Sequence, residues 1–446
     1  MKIIIAGAGE VGYHLAKLLR KESHNVVLID TRASILTRAD SELDLLTIHG
    51  NAYSISILDK AGVSDTDLLI AVTSSETANL TIATIGKQLG AKKTISRVNS
   101  SEFHKLKDRL DLDKLGIDVV ISPEELASKE IIRLLKRSAF SNAFDFEFGK
   151  LTLLGVYLEE GSSIIEKRVS DFMSFDLKNQ YKVIALERNG IPIIPDQDFV
   201  YLKNDHVFFL CLPSGIEQIR ELCGKRKLDV NNVMILGGGN IGYNSAKKLS
   251  RKKHVKLIES DSERCQELAD KLPDTLVIND DGHNVHQLED ENISEMDAFI
   301  AVTGNSETNI MSCLVAKNHG VKKTIAMVEN IDYINLSQTI GIDTLINKKL
   351  IAANNIFRYV RRADILNIAG IHGIDAEAIE IQVNQNSKVT QKTIGELKLP
   401  NDAVIGGIIR NDEGIIAYPA FQIDANDKVV IFALPDSIKK TLAHFN

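Results

Sequence analysis

The sequence predicts an α/β protein with two doubly wound parallel-sheet domains, each followed by a small α+β domain. Three observations predict this class: strands alternate with helices, a glycine-rich turn follows the first strand, and the whole pattern occurs twice. Alternation predicts a parallel sheet, because each crossover helix returns the chain to the end of the sheet at which the previous strand began. The turn Gly7-Ala-Gly-Glu-Val-Gly12 recurs 230 residues later as Gly237-Gly-Gly-Asn-Ile-Gly242.

The repeat extends well beyond these glycines. Further pairs keep the same order: Val27–Asp30 with Lys256–Glu259, Ala71–Thr73 with Ala301–Thr303, Asn79 with Asn309, and Lys92–Ile95 with Lys322–Ile325. A second repeat follows each half, since Asn204–Pro213 resembles Asn426–Pro435. This order predicts four domains, called N1, C1, N2 and C2: residues 1–122, 142–226, 230–347 and 366–446.

The elements of N1 follow from apolar patterning. A buried strand is expected where a short apolar run lies between turn residues, and an amphipathic helix where apolar residues recur with a period of 3.6. Pro123, with two glutamates after it, is typical of a helix start. The predicted strands are Lys2–Ala6, Asn25–Asp30, Leu45–Ile48, Leu68–Thr73 and Lys93–Val98, and the helices are Val11–Lys21, Ser54–Ala61, Glu76–Leu89 and 123–137.

The C domains have a different pattern, with short strands and turns followed by one terminal helix. In C1 the predicted strands are Leu151–Glu159, Lys182–Arg188 and His206–Leu212, followed by a helix at Ser214–Leu222. The terminal helix of C2 is predicted at Asp436–His444.

Composition excludes several classes of protein. The chain has 446 residues, 44% of them hydrophobic and 25% charged, as in ordinary globular proteins. A net charge of −7 argues against nucleic acid as a partner, since phosphate backbones require a basic face. Four scattered cysteines and no CxxC motif predict reduced thiols, and no metal site, because His283 and His286 lack further ligands of suitable spacing. With neither a signal peptide nor an apolar run of about 18 residues, a cytoplasmic protein is expected.

The glycine turn of N1 matches the dinucleotide-binding fingerprint of Rossmann domains. Gly7 permits a tight turn, Gly9 lets a pyrophosphate approach the backbone, and Gly12 lets the helix pack on the strand. Asp30, at the end of the next strand, is suited to accept hydrogen bonds from ribose hydroxyls. The alternative is a domain that retains the turn and binds nothing.

N2 has the same elements, in Gly237, Gly239, Gly242 and Glu259. Ligands of open α/β sheets bind at the carboxyl ends of the strands, where N1 has Thr73-Ser74 and N2 has Thr303-Gly304. Arg97, after the fifth strand, could pair with a phosphate, and its counterpart in N2 is Met327.

The rest of the chain favours a sensor over an enzyme. A dehydrogenase needs a second domain that brings substrate and an acid or base to the nicotinamide. C1 and C2 are small and show no convergent set of acid, base and nucleophile, so no catalytic residue is predicted. Duplication of a cofactor fold with a small companion fits a scaffold in which nucleotide shifts the balance between two arrangements of domains.

At this level of detail the sequence resembles the TrkA family. The resemblance rests on the order N–C–N–C, on GAGEVG with Asp30, on AVTSSETAN, KKTISRV and IDVVISPE, and on the second GGGNIG, and it covers nearly the whole chain. TrkA proteins are regulatory subunits of Trk potassium uptake systems, with two RCK (regulator of potassium conductance) units per chain. The resemblance implies binding of NAD(H) or of ATP or ADP. It also implies a homo-oligomeric ring, a tetramer if the ring holds eight units, on the inner face of the membrane beneath a membrane-embedded potassium-translocating Trk-type subunit.

The resemblance also implies a set of nucleotide contacts. In N1 they are Gly7, Ala8, Gly9, Glu10, Val11, Asp30, Asn51, Ala52, Thr73, Ser74 and Arg97; in N2 they are Gly237, Gly238, Gly239, Asn240, Ile241, Glu259, Asp281, Gly282, Thr303 and Gly304. Three positions depart from the family pattern. Asn51 stands where an aspartate is usual, Asp280 where a glycine is usual, and Met327 where N1 has Arg97.

The resulting hypothesis is a nucleotide-sensing subunit that gates a potassium transporter or channel through the angle between N and C domains. Two alternatives remain: an NAD-dependent oxidoreductase, and an assembly platform on which nucleotide has no effect.

Overall fold

The computed structural model describes residues 1–21, 24–99, 111–171, 180–225, 228–282, 285–330, 333, 341–357, 359–360, 365–370 and 376–445. Within these ranges the strands form four sheets, one each for N1, C1, N2 and C2. This confirms the predicted α/β class with two parallel sheets, each followed by a small α+β part. The boundaries of the four domains stay predictions.

The sheet of N1 is parallel throughout. Its strands are β1 (Lys2–Ala6), β2 (Asn25–Asp30), β3 (Leu46–His49), β4 (Leu68–Ala71), β5 (Lys93–Arg97) and β6 (Val119–Ile121), and its helices are α1 (Glu10–Lys21), α2 (Ala33–Leu43), α3 (Ile55–Lys60) and α4 (Glu76–Gln88). The strand order is β3-β2-β1-β4-β5-β6. The order reverses between β1 and β4, and the crevice at that point is where such sheets bind ligands.

N2 repeats this arrangement. Its strands are β12 (Asn232–Leu236), β13 (His254–Glu259), β14 (Thr275–Asn279), β15 (Ala298–Ala301), β16 (Lys323–Met327) and β17 (Thr344–Ile346), and its helices are α7 (Asn240–Leu249), α8 (Ser262–Lys271), α9 (Val285–Asp290) and α10 (Ser306–Asn318). The order β14-β13-β12-β15-β16-β17 is that of N1. Apart from their first residues Lys2 and Asn232, the central strands β1 and β12 are buried, as expected for parallel sheets covered by helices on both faces.

The C domains are antiparallel and also alike. C1 contains β7 (Asn142–Phe146), β8 (Leu151–Tyr157), β9 (Tyr181–Arg188), β10 (Ile191–Ile193), β11 (His206–Cys211) and α6 (Gly215–Leu222); C2 contains β18 (Ile365–Gly370), β19 (Glu377–Gln382), β20 (Ala403–Arg410), β21 (Glu413–Ile416), β22 (Lys428–Ala433) and α12 (Pro435–Leu442). The orders β10-β9-β11-β8-β7 and β21-β20-β22-β19-β18 have the same topology.

Two connecting helices, α5 (Pro123–Lys136) and α11 (Lys348–Phe357), bind the two N domains together. The helix after N1, α5, packs Ala127, Ile131 and Leu134 into the core of N2. The helix after N2, α11, packs Ile356 and Phe357 into the core of N1. Since a fully buried large apolar side chain contributes roughly 1.5–3 kcal/mol, this exchange couples the two N domains strongly.

C1 and C2 share a core as well. Phe146, Leu210 and Phe208 of C1 pack against Val430 and Phe432 of C2. The half-buried Lys182 of C1 donates from Nζ to the carbonyl oxygens of Ile405 and Ala417 in C2, at 2.9 and 3.3 Å. Burial lowers the pKa of Lys182 to about 8.

Differences from the predicted elements are confined to ends and to short or weakly patterned elements. The fourth strand, predicted to reach Thr73, ends at Ala71, because the amide of Thr73 donates to the side chain of Asn79. The sequence did not predict α2, β6, β7 or β10. Among the described residues, no helix is both long enough and apolar enough to cross a membrane.

Candidate functional site

The glycine turn of N1 contains two glycines that the fold itself requires. Gly7 has φ +110°, and a Cβ there would lie 2.8 Å from the amide nitrogen of Thr73. A Cβ on Gly12 would lie 1.8 Å from the carbonyl oxygen of Gly7, so α1 could not pack so closely on β1. A side chain at either position would displace backbone.

Gly9 is different, because nothing in the fold requires it. The nearest atom to a Cβ there is Nη2 of Arg32, at 3.8 Å, which is ordinary van der Waals contact. Its open side faces the start of α1, where the first-turn N–H groups have no partner within the helix and the helix dipole is positive. Gly9 therefore preserves space beside a site suited to a phosphate.

N2 shows the same division of roles. A Cβ on Gly237 would lie 3.0 Å from the amide nitrogen of Thr303, and one on Gly242 would lie 1.9 Å from the carbonyl oxygen of Gly237. A Cβ on Gly239 would meet nothing within 4 Å. Gly239 also precedes α7 as its N-cap, so no side chain caps the first turn.

Asp30 lies at the end of β2 and is only 8% exposed. Oδ2 accepts from the amide of Ala8 at 2.7 Å, which ties the glycine turn to β2. Oδ1 accepts from both the amide and Nε of Arg32, at 2.9 and 3.0 Å. Burial alone would raise the pKa of Asp30, but the hydrogen bonds from Arg32 and Ala8 outweigh it and hold the pKa below its ordinary value. Asp30 is thus charged and already paired with a cation.

Arg32 was not predicted as a site residue. Its side chain is 57% exposed, so it can move relative to Asp30 when a ligand enters. An arginine near the ribose acceptor is the group that accommodates extra phosphate in Rossmann domains. A charged residue two positions after a strand is common, and only the contact with Asp30 distinguishes this one.

The ribose position of N2 carries more negative charge. Glu259 accepts from the amide of Gly238 at 2.7 Å, as Asp30 does from Ala8. In the place of Arg32 stands Asp261, whose carboxylate caps α8 by accepting from the amides of Glu263 and Arg264. Arg264 reaches back to the carbonyl oxygen of Gly238 at 3.1 Å, but its guanidinium also pairs with Glu267.

The turn after the third strand adds to this difference. In N1, Gly50 donates its amide to the carbonyl of Asp30 at 3.0 Å, and Asn51 follows it. In N2, Asp280 makes the equivalent bond to Glu259, also at 3.0 Å, and Asp281 follows it. N2 thus has two carboxylates where N1 has two uncharged residues.

Part of this region of N2, including Glu259, Asp280 and Asp281, lines a cavity of about 410 Å³. It contains seven of the predicted contacts: Gly237, Gly239, Glu259, Asp281, Gly282, Thr303 and Gly304. Asp280 lines it too, so three carboxylates face this volume. The remaining predicted residues contribute in other ways: the amide of Gly238 is bound by Glu259, Ile241 is in the core, and Asn240 Nδ2 donates to the carbonyl of Asn99 in N1.

Four further predicted residues of N1 have contrasting surroundings. Val11 and Ala52 are 4% and 6% exposed, so only their backbone can meet a ligand. Ser74 is exposed beside Ser75, which caps α4. Glu10, at the start of α1, forms an ion pair with Lys349 of α11 at 2.5 Å, which joins the N1 turn to the helix that follows N2.

Arg97 lies at the end of β5 and is held by its neighbours. Nε donates to Asn99 at 3.2 Å, and Nη2 lies 3.9 Å from the carboxylate of Glu124 in α5. A phosphate would have to compete with this carboxylate for the guanidinium. Met327 in N2 is 5% exposed and belongs to the apolar core.

Asn79 positions the strand end that carries Thr73 and was not predicted as a site residue. Its side chain is 1% exposed, accepts from the amide and hydroxyl of Thr73, and donates to the carbonyls of Thr73 and Arg97 at 3.1 and 3.0 Å. Asn309 repeats the arrangement with Thr303 and Met327. The signal in the sequence was the recurrence of both asparagines in the repeat.

The described residues hold no group of three or more potential metal ligands. His283 and the side chain of His286 lie outside them.

All four cysteines are buried and unpaired with one another, and burial raises the pKa of Cys211 and Cys223 to about 12. Such thiols remain protonated and unreactive at neutral pH.

The fold and the two glycine turns define a protein with tandem Rossmann-type dinucleotide-binding domains, each with a small α+β companion. The TrkA-N domain family matches residues 3–123 and 233–348, and the TrkA-C domain family matches residues 153–224 and 378–446. The chain belongs to the TrkA family and is built of RCK units.

Relatives of similar length support this assignment. The Trk system potassium uptake protein TrkA of Haemophilus influenzae is 35% identical over 97% of this chain and 95% of that protein. The TrkA homolog of Archaeoglobus fulgidus is 33% identical over 99% of each. Both are named as potassium uptake proteins and not as oxidoreductases, in agreement with the expectation that the chain is not an enzyme.

Solved structures confirm the RCK fold. The GsuK RCK domain crystal structure has a TM-score of 0.60 at 16% identity, covering 100% of this chain and 94% of that one. The structure described as "GsuK channel bound to NAD" has a TM-score of 0.60 at 17% identity, covering 100% and 78%. One described as GsuK bound to ADP has a TM-score of 0.51 at 14% identity, covering 81% and 70%.

Proposed function

We propose that the chain is the nucleotide-sensing regulatory subunit of a Trk-type potassium uptake system, with NAD(H), or ATP or ADP, as its ligand. The observation that carries this proposal is Gly9, a glycine that the fold does not need. It lies beside the start of α1 and next to Arg32, which pairs with Asp30 at the expected ribose position. The relatives named as Trk potassium uptake proteins support the transport role. The RCK structures described as bound to NAD and to ADP support the ligand class.

The proposed partner is a membrane-embedded potassium-translocating Trk-type subunit. The chain would associate with the cytoplasmic face of the membrane through it, as a homo-oligomeric ring. The exchange of α5 and α11 supports this role, because it makes the two N domains of one chain a single coupled unit that can respond together.

The first nucleotide site is proposed to be the tight one. Glu259, Asp280 and Asp281 face the N2 cavity, whereas the equivalent N1 positions carry Asp30, Gly50 and Asn51, with Arg32 paired to Asp30. Two like charges 4 Å apart repel by about 4 kcal/mol at an effective dielectric of 20. A polyphosphate should therefore bind N2 much more weakly than N1.

Several side chains of N1 have separate roles in the proposed response. The N–H groups at the start of α1 hold phosphate, and Asp30 orients a ribose. Glu10 lies in the same turn and pairs with Lys349, so a phosphate placed there competes with Glu10 for this ammonium. That competition would bias the position of α11 relative to N1. A ligand that prefers one arrangement tenfold shifts the balance by about 1.4 kcal/mol.

Potassium flux through liposomes containing the membrane subunit and the full chain tests the proposal. The nucleotides NADH, NAD⁺, ATP and ADP are added one at a time to the wild type and to the matched variants Gly9→Ala and Gly239→Ala. We expect the flux to change when nucleotide is added to the wild type. This change should be lost in Gly9→Ala and kept in Gly239→Ala.

Flux that depends on the chain but never on nucleotide would overturn the sensing role and support the assembly platform. Steady oxidation of NADH in the presence of a small hydroxy acid would support the oxidoreductase instead.

A further inference from the structure

A second cavity, far larger than the N2 nucleotide cavity, lies between C1 and N2. Its volume is about 820 Å³. On one side its walls come from residues 138–141, just before C1, and from the end of β8 and the two residues after it; on the other side they come from the end of α10, the start of β16 and the residues just before β17 in N2. A ligand here would contact two domains at once. None of the residues predicted to bind nucleotide lines it.

The cavity is basic although the chain as a whole is acidic. Four lysines line it, Lys225, Lys317, Lys322 and Lys323, against the two carboxylates of Glu159 and Asp343. Lys225 pairs with Glu159 at 2.7 Å, and Lys317 pairs with Asp343 at 2.6 Å. Within the described part of the chain, Lys322 and Lys323 have no carboxylate within ion-pair distance. The walls therefore carry two uncompensated positive charges.

Lys323 is the unusual member of this set. It is 2% exposed, and its Nζ donates to the carbonyl oxygen of Phe140 across the C1–N2 boundary at 3.0 Å. An ammonium has three donors, and no other hydrogen bond of this Nζ is present among the described residues. A buried cation with no carboxylate in ion-pair contact is costly. An anion in the cavity would supply both the missing acceptor and the missing charge.

The internal repeat shows that the fold alone does not require this arrangement. Lys87 and Asp118 of N1 repeat the Lys317–Asp343 pair, so that pair is structural in both domains. The equivalents of Lys322 and Lys323 are Lys92 and Lys93. Lys92 pairs with Asp67 at 2.7 Å, and Lys93 lies over the ring of Tyr359, 5.0 Å from its centroid. The same lysines are thus compensated in N1 and uncompensated in N2.

We propose that the cavity between C1 and N2 binds a small phosphate-bearing anion, held by Lys322 and Lys323 and by the paired Lys225. Lysine is suited to phosphate as a compact point charge with several donors. The apolar side chains of Phe140, Leu228 and Ile342 in the same walls leave room for an organic portion. Because the ligand bridges two domains, its binding favours the arrangement in which C1 and N2 are closed on each other. This site is separate from the proposed nucleotide sites and does not depend on them.

Calorimetric titration of the full chain with inorganic pyrophosphate tests the proposal. The background variant Gly9→Ala/Gly239→Ala removes phosphate binding at the glycine turns. One pyrophosphate per chain is expected, with the affinity reduced about tenfold by Lys322→Ala, an exposed position whose change should leave the fold intact. The matched substitution Lys92→Ala in N1 should leave the affinity unchanged. Absence of pyrophosphate binding, or equal effects of the two substitutions, would overturn the proposal.

Proton uptake on binding provides a second test, because it reports on Lys323 itself and not on the total positive charge of the cavity. Burial lowers the pKa of Lys323 to about 8, with Lys317 and Lys225 lowering it further and Asp343 raising it. An anion stabilises the charged form of Lys323, so pyrophosphate binding at pH 8 should take up more protons in the wild type than in Lys323→Met. Titrations in two buffers of different ionisation enthalpy measure this uptake.

Lys323→Met should remove this additional uptake and Lys322→Ala should retain it. Methionine at position 323 fills a similar volume without a buried charge, so this variant should fold, which a melting curve checks. Equal uptake in the wild type and in Lys323→Met would contradict the assignment of Lys323 as the buried ligand.

Discussion

The two N domains have the same backbone contacts around the glycine turn, but N2 carries more negative charge where a ligand would lie. Residues required by the fold agree between them: Gly7 with Gly237, Gly12 with Gly242, and Asn79 with Asn309. Residues in and around the proposed ligand positions differ: Arg32 against Asp261, Gly50 against Asp280, and Arg97 against the buried Met327. The comparison separates what folding requires from what ligand binding requires. The next four tests use that separation.

The largest expected effect is a loss of stability that should be the same in both N domains. Asn79→Ala removes a buried side chain that holds the Thr73 loop through four contacts, and Asn309→Ala does the same to the Thr303 loop. Each substitution should lower the free energy of unfolding by about 3 kcal/mol, because buried backbone groups lose their partners. Urea unfolding of the full chain measures this. A large loss in one variant and none in the other would show that the networks are not equivalent.

The next effect should distinguish the two domains. Gly9→Ala places a methyl group where a pyrophosphate would approach, so the affinity for NADH should fall about 100-fold, or about 2.7 kcal/mol. Gly239→Ala should leave the tight binding intact. Both positions have room for a methyl group, so the two variants should unfold at the wild-type temperature. Equal losses of affinity would contradict a single tight site in N1.

A smaller gain is expected when N2 is made to resemble N1. The double substitution Asp280→Gly and Asp281→Asn removes two of the three carboxylates that face the N2 cavity. The affinity of N2 for ATP, measured in the Gly9→Ala background, should rise about tenfold, because repulsion of the phosphates is reduced. Unchanged affinity would mean that charge does not account for the difference between the sites.

The smallest effect concerns Arg32, the cation beside Asp30 at the proposed ribose position of N1. Arg32→Gln leaves the carboxylate of Asp30 uncompensated, so ATP should bind roughly threefold to tenfold more weakly. NAD⁺, which carries less negative charge, should lose less. Since Arg32 is more than half exposed, solvent screens much of its charge, and this keeps the effect modest. A larger loss for NAD⁺ than for ATP would contradict this role.

The sequence was a good guide to features that arise from local patterns. The glycine turn, Asp30 and the alternating elements of N1 follow from short-range spacing, and the repeat identified the same features in N2. Short strands such as β7 and β10 were missed because their apolar runs are brief and antiparallel pairing supplies much of their stability.

Features that depend on distant contacts could not be predicted. The packing of Ile131 into N2 and of Ile356 into N1 joins segments far apart in sequence, and an amphipathic helix does not reveal which core it enters. Lys323 is one of two adjacent lysines in each repeat, and nothing in the motif shows that one copy is buried against Phe140 while its equivalent lies over Tyr359. Arg32 likewise gains its significance only from its contact with Asp30.

The central claim is that one chain binds one nucleotide tightly, in N1. Calorimetric titration of the full-length wild-type chain with NADH, with the fluorescence of NADH as an independent signal, tests it most directly. The account predicts one tight site per chain, followed by binding at least about tenfold weaker. Two sites of equal affinity per chain would contradict it, because the three carboxylates that face the N2 cavity would then have no effect on a phosphate-bearing ligand.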